Sequence, residues 1–325
     1  MPKIKRLTTA DQVRDVLGRA RAEADHQLEA MRAAAKDVIP DDAGVIVGVN
    51  GSVARREVTS GSDVDLFFLT TRDDAEAARP IQEAFRDRLR ADGVKMPAHG
   101  GVFENPLSVK DILSNIGGDA DTNAYLTRRM LYLLEGEWLH DRNAFENLRE
   151  KLVGHYVRDA LEDRKLCRYL LNDVIRYWRT ICVDFEEKTA DGDKPRAIRL
   201  IKLRFARMML YFGGVAAIAR TDDDVPAETK RAVLLETFAM PPADRLTQAF
   251  GDAEMAAPLA AYATFLNAID DTAIRDALER DGHEGLETNE YQELLEVARE
   301  FRQGLQDVLV GPEGLRGRIG SALLL

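Results

Sequence analysis

The sequence predicts an α+β fold: a small mixed-sheet domain over residues 1–140, opened by a leading helix, followed by an all-α helical domain over residues 141–325. Three observations carry that expectation. Two short apolar runs, VIVGV at 45–49 and DVDLFFLT at 63–70, lie close together between turn-forming residues, the pattern of neighbouring strands in one buried sheet. Helical spacing of three and four dominates from about residue 108 onward. The length of 325 residues accommodates two domains, each with a core of its own.

In chain order, Val13, Val16, Leu17, Ala20, Ala24, Leu28 and Met31 recur at three and four and predict a helix over 9–37. The breaker IPDDAG at 39–44 ends it, and the two β-like runs follow. Residues 73–92 read as a helix with Ala77, Ile81, Ala84, Phe85 and Leu89 on one face, and 94–104 as a third strand before NPLS at 105–108 starts another helix. The helical period then runs through 125–134, 147–185, 197–212, 226–238, 255–266 and 290–308. Segments 189–195, 220–226 and the last fifteen residues read as irregular.

Composition narrows the function classes. With 45% hydrophobic and 31% charged residues the chain has ordinary globular composition, and its net charge of −11 argues against coating nucleic acid or an anionic membrane through overall charge. That charge is uneven: 164–207 is net basic and 208–325 strongly acidic. Cys167 and Cys182 are too few for a disulfide framework or a thiolate zinc site. His26, His99, His140, His155 and His283 show no metal-ligand spacing, and His99 alone lies near enough to Glu104 to be a candidate for the site argued below. The N-terminal segment has no signal-peptide apolar stretch, and the greasiest segment, 203–219, carries Arg204 and Arg207, so the expectation is a cytoplasmic protein without a membrane span.

One constellation carries chemistry. Gly51-Ser52 follows directly on the first predicted strand, and Asp63-x-Asp65 sits on the next. Residues two apart in a strand project to the same side, so Asp63 and Asp65 share one face while Val64 and Leu66 turn to the core. Paired carboxylates suit a hard divalent cation, Mg²⁺ or Mn²⁺, of the kind that clamps an in-line phosphoryl displacement. Gly51 and Ser52 would offer backbone N–H groups and a hydroxyl to a triphosphate, and Ser52 is also a candidate helix cap. Singly, an Asp-x-Asp is most often a solvated pair and a Gly-Ser most often a turn; their order and spacing carry the signal. Arg55 and Arg56 are candidates to reach the triphosphate, with solvation as the alternative.

A second candidate surface lies on the helix after residue 160. Arg164, Arg168, Asn172, Arg176 and Arg179 form one stripe, and Leu166, Leu170, Val174, Trp178, Ile181 and Phe185 the opposite one. The cationic stripe, with Arg176 and Arg179 as its nucleotide-binding candidates and Arg196, Arg199, Lys202 and Arg204 beside it, is either a wall for phosphate or base, or a solvated face balanced by Asp184, Glu186 and Glu187. Tyr177 and Trp178 read as core by spacing.

Gly51, Ser52, Asp63 and Asp65, in that order and spacing, resemble the DNA polymerase beta-like nucleotidyltransferase superfamily, above all the nucleotidyltransferase domain of the PII-uridylyltransferases and related nucleotidyltransferases. The resemblance implies a catalytic domain over 1–140, two Mg²⁺ ions on Asp63 and Asp65, and a third carboxylate from a later strand. Glu104 matches that place, in register with Ser108-Val109-Lys110, with a sheet-edge salt bridge as the alternative role and Asp111 as the reserve candidate. TRRMLYLLEGEWLHD at 127–141 is similar to the helix closing the catalytic domain of those enzymes. No His-Asp phosphohydrolase motif follows, so the full multidomain uridylyltransferase is not expected. The resemblance implies NMP transfer from an NTP to a hydroxyl acceptor: a protein first, a nucleic-acid end less so. A cyclic oligonucleotide synthase and a non-catalytic nucleotide-binding scaffold are the alternatives.

Overall fold

The structure, a computed structural model, describes residues 4–97, 102–159, 166–190, 194–221, 224–310, 319–320 and 322. It is α+β, with one small four-stranded mixed sheet and many helices. The chain divides into two compact units. The sheet unit holds Ala20–Val58 and Ser62–Asp159, and the helical unit Met1–Arg19, Thr59–Gly61 and Ala160–Leu325. The division thus falls after Asp159 instead of at 140, and a helix running across Arg19 belongs to both units.

In chain order the sheet unit contains α1 (Ala10–Val38, from residue 20 on), β1 (Val45–Asn50), α2 (Gly51–Ala54), β2 (Asp65–Thr70), α3 (Arg79–Ala91), β3 (Leu107–Ser108), α4 (Val109–Leu113), α5 (Asn123–Leu134), β4 (Glu137–His140) and α6 (Arg142–Tyr156). Helix α6 stays with this unit because it packs on α4, α5, β1 and β4. The strand order is β3-β2-β1-β4; β1 is antiparallel to both neighbours, and β3 runs parallel to β2. All six residues of β1 are buried, which is why the sequence there is a continuous apolar run instead of an alternating one.

One face of the sheet packs on α1 and α3. Val45, Val47, Val49, Leu66 and Phe68 meet Ala24, Leu28, Met31, Phe85 and Leu89 in a single core. The opposite face is aromatic: the Phe67 ring lies 5.4 Å from Phe103 and 5.6 Å from Tyr132, and Tyr132 lies 4.9 Å from Phe145. Burial pushes the Tyr132 phenol above its ordinary pKa, and its hydroxyl donates to the Phe145 carbonyl at 2.7 Å. Gly48 is the close approach that lets Phe67 lie flat across β1. A Cβ at position 48 would stand 2.2 Å from the Phe67 ring and 2.6 Å from the Glu137 carbonyl oxygen, on backbone that cannot yield. Gly48→Ala is therefore expected to lower unfolding stability by about 1–3 kcal/mol in a denaturant titration, the usual range for overpacking. An unchanged midpoint would show that β4 can move away.

Several elements differ from expectation. The strand paired to β2 is the two-residue β3, because 102–105 form turns and pairing begins only at Leu107; of the expected strand 94–104, residues 94–97 and 102–104 are not strand and 98–101 lie outside the described residues. Helix α3 begins at Arg79 behind a 3-10 turn, with Pro80 in its first turn, so Ala77 and Ala84 are exposed and Ala78, Phe85 and Leu89 carry the buried face. The periodic stretch 147–185 is two helices, since α6 ends at Tyr156 and α7 (Arg168–Ala190) starts afresh.

The helical unit continues with α8 (Arg196–Lys202), a π-turn over Leu203–Arg207, α9 (Met208–Ala219), α10 (Ala227–Phe238), α11 (Pro242–Phe250), α12 (Asp252–Asp270), α13 (Thr272–Leu278) and α14 (Asn289–Val310). Helix α9 is apolar nearly all round and lies among α7, α10 and α11. Phe205, in the π-turn, stacks on Phe265 at 4.4 Å and on Phe301 at 5.3 Å. Buried Arg245 donates to the carbonyls of Thr237, Phe238 and Met240, capping the end of α10. Among the described residues no helix is long and apolar enough to cross a membrane.

Candidate active site

The candidate site lies within the sheet unit, where β1 turns into α2 beside the start of β2. Asp65 opens β2 directly opposite Asn50, the last residue of β1. Asp63 lies just ahead of the strand instead of within it; Val64 and Leu66 are buried in the core, and Asp63 and Asp65 are half-buried. Gly51 has φ +77°, and a Cβ there would stand 2.8 Å from Asp65 Oδ2. The Asp65 carboxylate rests on bare backbone, and any other residue at 51 would displace it.

Helix α2 is a single turn, closed by Arg55 N–H donating to the Gly51 carbonyl at 3.0 Å and Glu57 N–H to the Ser52 carbonyl at 2.8 Å. Ser52 is therefore inside the turn and does not cap it. The cap position is Asn50, whose side chain makes no capping bond. Ser52 is half-buried. The Gly51 N–H, expected to face a triphosphate, donates to Glu135 Oε1 at 3.2 Å.

Glu135 ties this corner together. Its other oxygen, Oε2, accepts from Arg55 Nη1, and Arg55 Nε donates to Glu57 Oε2 at 2.8 Å. The side chains of Arg55, Glu57 and Glu135 are 7%, 6% and 1% exposed, so this is one guanidinium buried between two carboxylates. Arg55 is thus engaged in holding the turn, and its expected part in reaching a triphosphate has this structural role as its counterpart. Arg56, with φ +62°, pairs with Asp25 at 2.6 Å and Glu137 at 3.2 Å. Glu137 in turn receives Arg32 at 2.8 Å, whose guanidinium lies 3.9 Å over the Trp138 ring.

Glu104 is half-buried in the turn leading to β3. Its carbonyl oxygen accepts from Gln82 Nε2 at 3.1 Å and Arg86 Nη2 at 3.2 Å, and burial draws the Arg86 pKa down. Because β3 runs parallel to β2, the residues leading into it enter from the end of the sheet where Asp63 and Asp65 lie. Among the described residues, no group of three or more His, Cys, Asp or Glu side chains forms a metal-holding cluster. Asp111 is committed elsewhere: Ser108 N–H donates to its Oδ2 at 3.1 Å in the capping box that starts α4.

Arg176 and Arg179 belong to α7 of the helical unit. Arg176 lies 3.5 Å from Asp173, and Arg179 is exposed. Tyr177 is buried as its spacing predicts, and half-buried Trp178 stacks on Tyr211 at 5.3 Å. His99 and Arg164 lie outside the described residues.

His140, at the end of β4, is buried, and burial lowers its pKa from the usual 6.5, with Asp141 and Asp41 pulling the other way. The unfolded chain therefore binds a proton more readily, and stability falls as pH drops below about 6.5 towards the folded value. Denaturation midpoints between pH 7.5 and 5 should decline less steeply in His140→Asn than in the wild type. Parallel slopes would assign the decline to other groups.

Three residues at this corner escape pattern reading: Asn50, Glu57 and Glu135. For Glu135 a signal was present, an isolated carboxylate inside the apolar stretch LYLLEGEWL. No protein-family model matches the chain, and no curated protein matches it.

Proposed function

We propose that the chain is a metal-dependent nucleotidyltransferase, moving a nucleoside monophosphate from an NTP to a hydroxyl acceptor on a protein and releasing pyrophosphate. The observation carrying this reading is Asp65 seated on the bare backbone of Gly51, with Asp63 two residues earlier and half-buried like it, and a one-turn helix following β1 directly. The oxygen donors at this corner match the preference of Mg²⁺ or Mn²⁺ for carboxylate, water and phosphate oxygens. A bound ion would neutralise charge developing on the phosphoryl oxygens.

In this reading Asp63 and Asp65 hold the cation and Ser52 offers its hydroxyl to a phosphate oxygen. Glu104 accepts the proton of the acceptor hydroxyl. The acceptor oxygen bonds to the α-phosphorus as the α–β phosphoanhydride bond breaks, and pyrophosphate leaves. Catalysis consists mainly of positioning and electrostatics. A protein acceptor is favoured over a polynucleotide by the acidity of residues 208–325.

A second reading, a nucleotide-binding scaffold without turnover, is favoured by one observation: no third carboxylate converges on the aspartate pair among the described residues. The test supplies each of the four NTPs, labelled at the α-phosphate, with Mg²⁺ or Mn²⁺ and cell lysate. Label on a protein supports the proposal, and label in a small phosphatase-resistant product points to a cyclic oligonucleotide synthase. Binding of NTP without transfer establishes the scaffold.

A further inference from the structure

We propose that Asn50 supplies a third oxygen to the cation site of Asp63 and Asp65 through its side-chain carbonyl, an assignment that rests on the cation-binding reading above. Asn50 is only 3% exposed, and its Oδ1 has no hydrogen-bond partner among the described residues. Asparagine at a helix cap ordinarily uses that oxygen to accept from the first turn, but here no such bond forms. Buried polar atoms are nearly always satisfied, so an orphaned one calls for an explanation.

Register places this oxygen. Asn50 pairs with Asp65 and Val49 with Leu66; the latter two face the core, so Asn50 and Asp65 project together from the other face. Directly opposed Cβ atoms lie about 4.5–5.5 Å apart, close enough for both side chains to ligate one ion whose oxygen ligands sit about 2.0–2.1 Å away. Glu135 is bonded to the adjoining Gly51 N–H, so a further carboxylate here would add to the negative charge of the corner. An amide oxygen adds a ligand without adding another negative charge beside Glu135.

The test measures Mn²⁺ binding to the full chain by electron paramagnetic resonance, with melting temperature in EDTA and in Mn²⁺ as a second readout. Wild type, Asn50→Ala, Asn50→Asp and Asp65→Asn are compared. Asn50→Ala is expected to weaken Mn²⁺ binding about tenfold. In EDTA it should melt at or above the wild type, since it removes an unsatisfied buried group, while its Mn²⁺-induced rise in melting temperature shrinks. Asn50→Asp should bind Mn²⁺ more tightly than the wild type, and it decides the matter if the alanine variant does not fold. Wild-type affinity in Asn50→Ala, a lower melting temperature in EDTA, or no gain in Asn50→Asp overturns the assignment. If Asp65→Asn loses Mn²⁺ while Asn50→Ala keeps it, only the role of Asn50 fails; if Asp65→Asn also keeps it, the cation site itself fails.

Discussion

Asp65→Ala is expected to lower NMP transfer by about a thousandfold, the scale at which removal of a charge-stabilising group in a reaction site is felt, while leaving the thermal melt nearly unchanged. The separation of the two effects follows from where Asp65 sits. Its backbone pairs with Asn50 and starts β2, which alanine preserves. Its side chain is half-buried against Gly51 and outside the apolar cluster, so no core contact is lost. The same holds for Asp63, whose neighbour Val64 supplies the local core contact. Initial rates measured beside circular-dichroism melts check this. Full transfer in either variant would remove the aspartates from the mechanism.

Arg55→Met is expected to have the opposite signature, with stability falling by about 3–5 kcal/mol because the substitution strands buried carboxylates without their cation. Arg55 lies between Glu57 and Glu135, and none of the three side chains is more than 7% exposed. Glu135 also holds the Gly51 N–H, so loosening it releases the turn on which Asp65 rests. Adding Glu135→Gln to Arg55→Met should recover part of the loss, since one uncompensated charge is then gone. Urea titrations of the single and double variants measure this coupling. A variant that stays stable but binds NTP poorly would instead return Arg55 to the nucleotide-contacting role suggested by its place after Gly51-Ser52.

The sequence made the larger elements legible because burial leaves a periodic mark. Ala24, Leu28 and Met31 on α1, and Val64 and Leu66 around the aspartates, were readable for that reason, and all five are core residues. The strand holding Asp65 was legible too, although it begins at Asp65 and leaves Asp63 ahead of it. What escaped depends on tertiary partners. Nothing local announces that Glu135 reaches across to the Gly51 N–H, 84 positions earlier in the chain, or that Arg55 turns inward between two carboxylates. The two-residue β3 is too short for any period to mark. The break between α6 and α7 was hidden because both helices carry apolar stripes that continue one another in the sequence.

In the proposed function, the corner formed by Asn50, Gly51, Asp63 and Asp65 cleaves an NTP between its α- and β-phosphates and hands on the nucleotide. Parallel incubations of the full chain with α-labelled and γ-labelled NTP, in Mg²⁺ or Mn²⁺ with lysate, test this directly. The expected result is α-label on a protein acceptor, γ-label in pyrophosphate, and neither in Asp65→Ala. Label from the γ-position on the acceptor, or its release as inorganic phosphate with the α-label left in the nucleoside diphosphate, would contradict it.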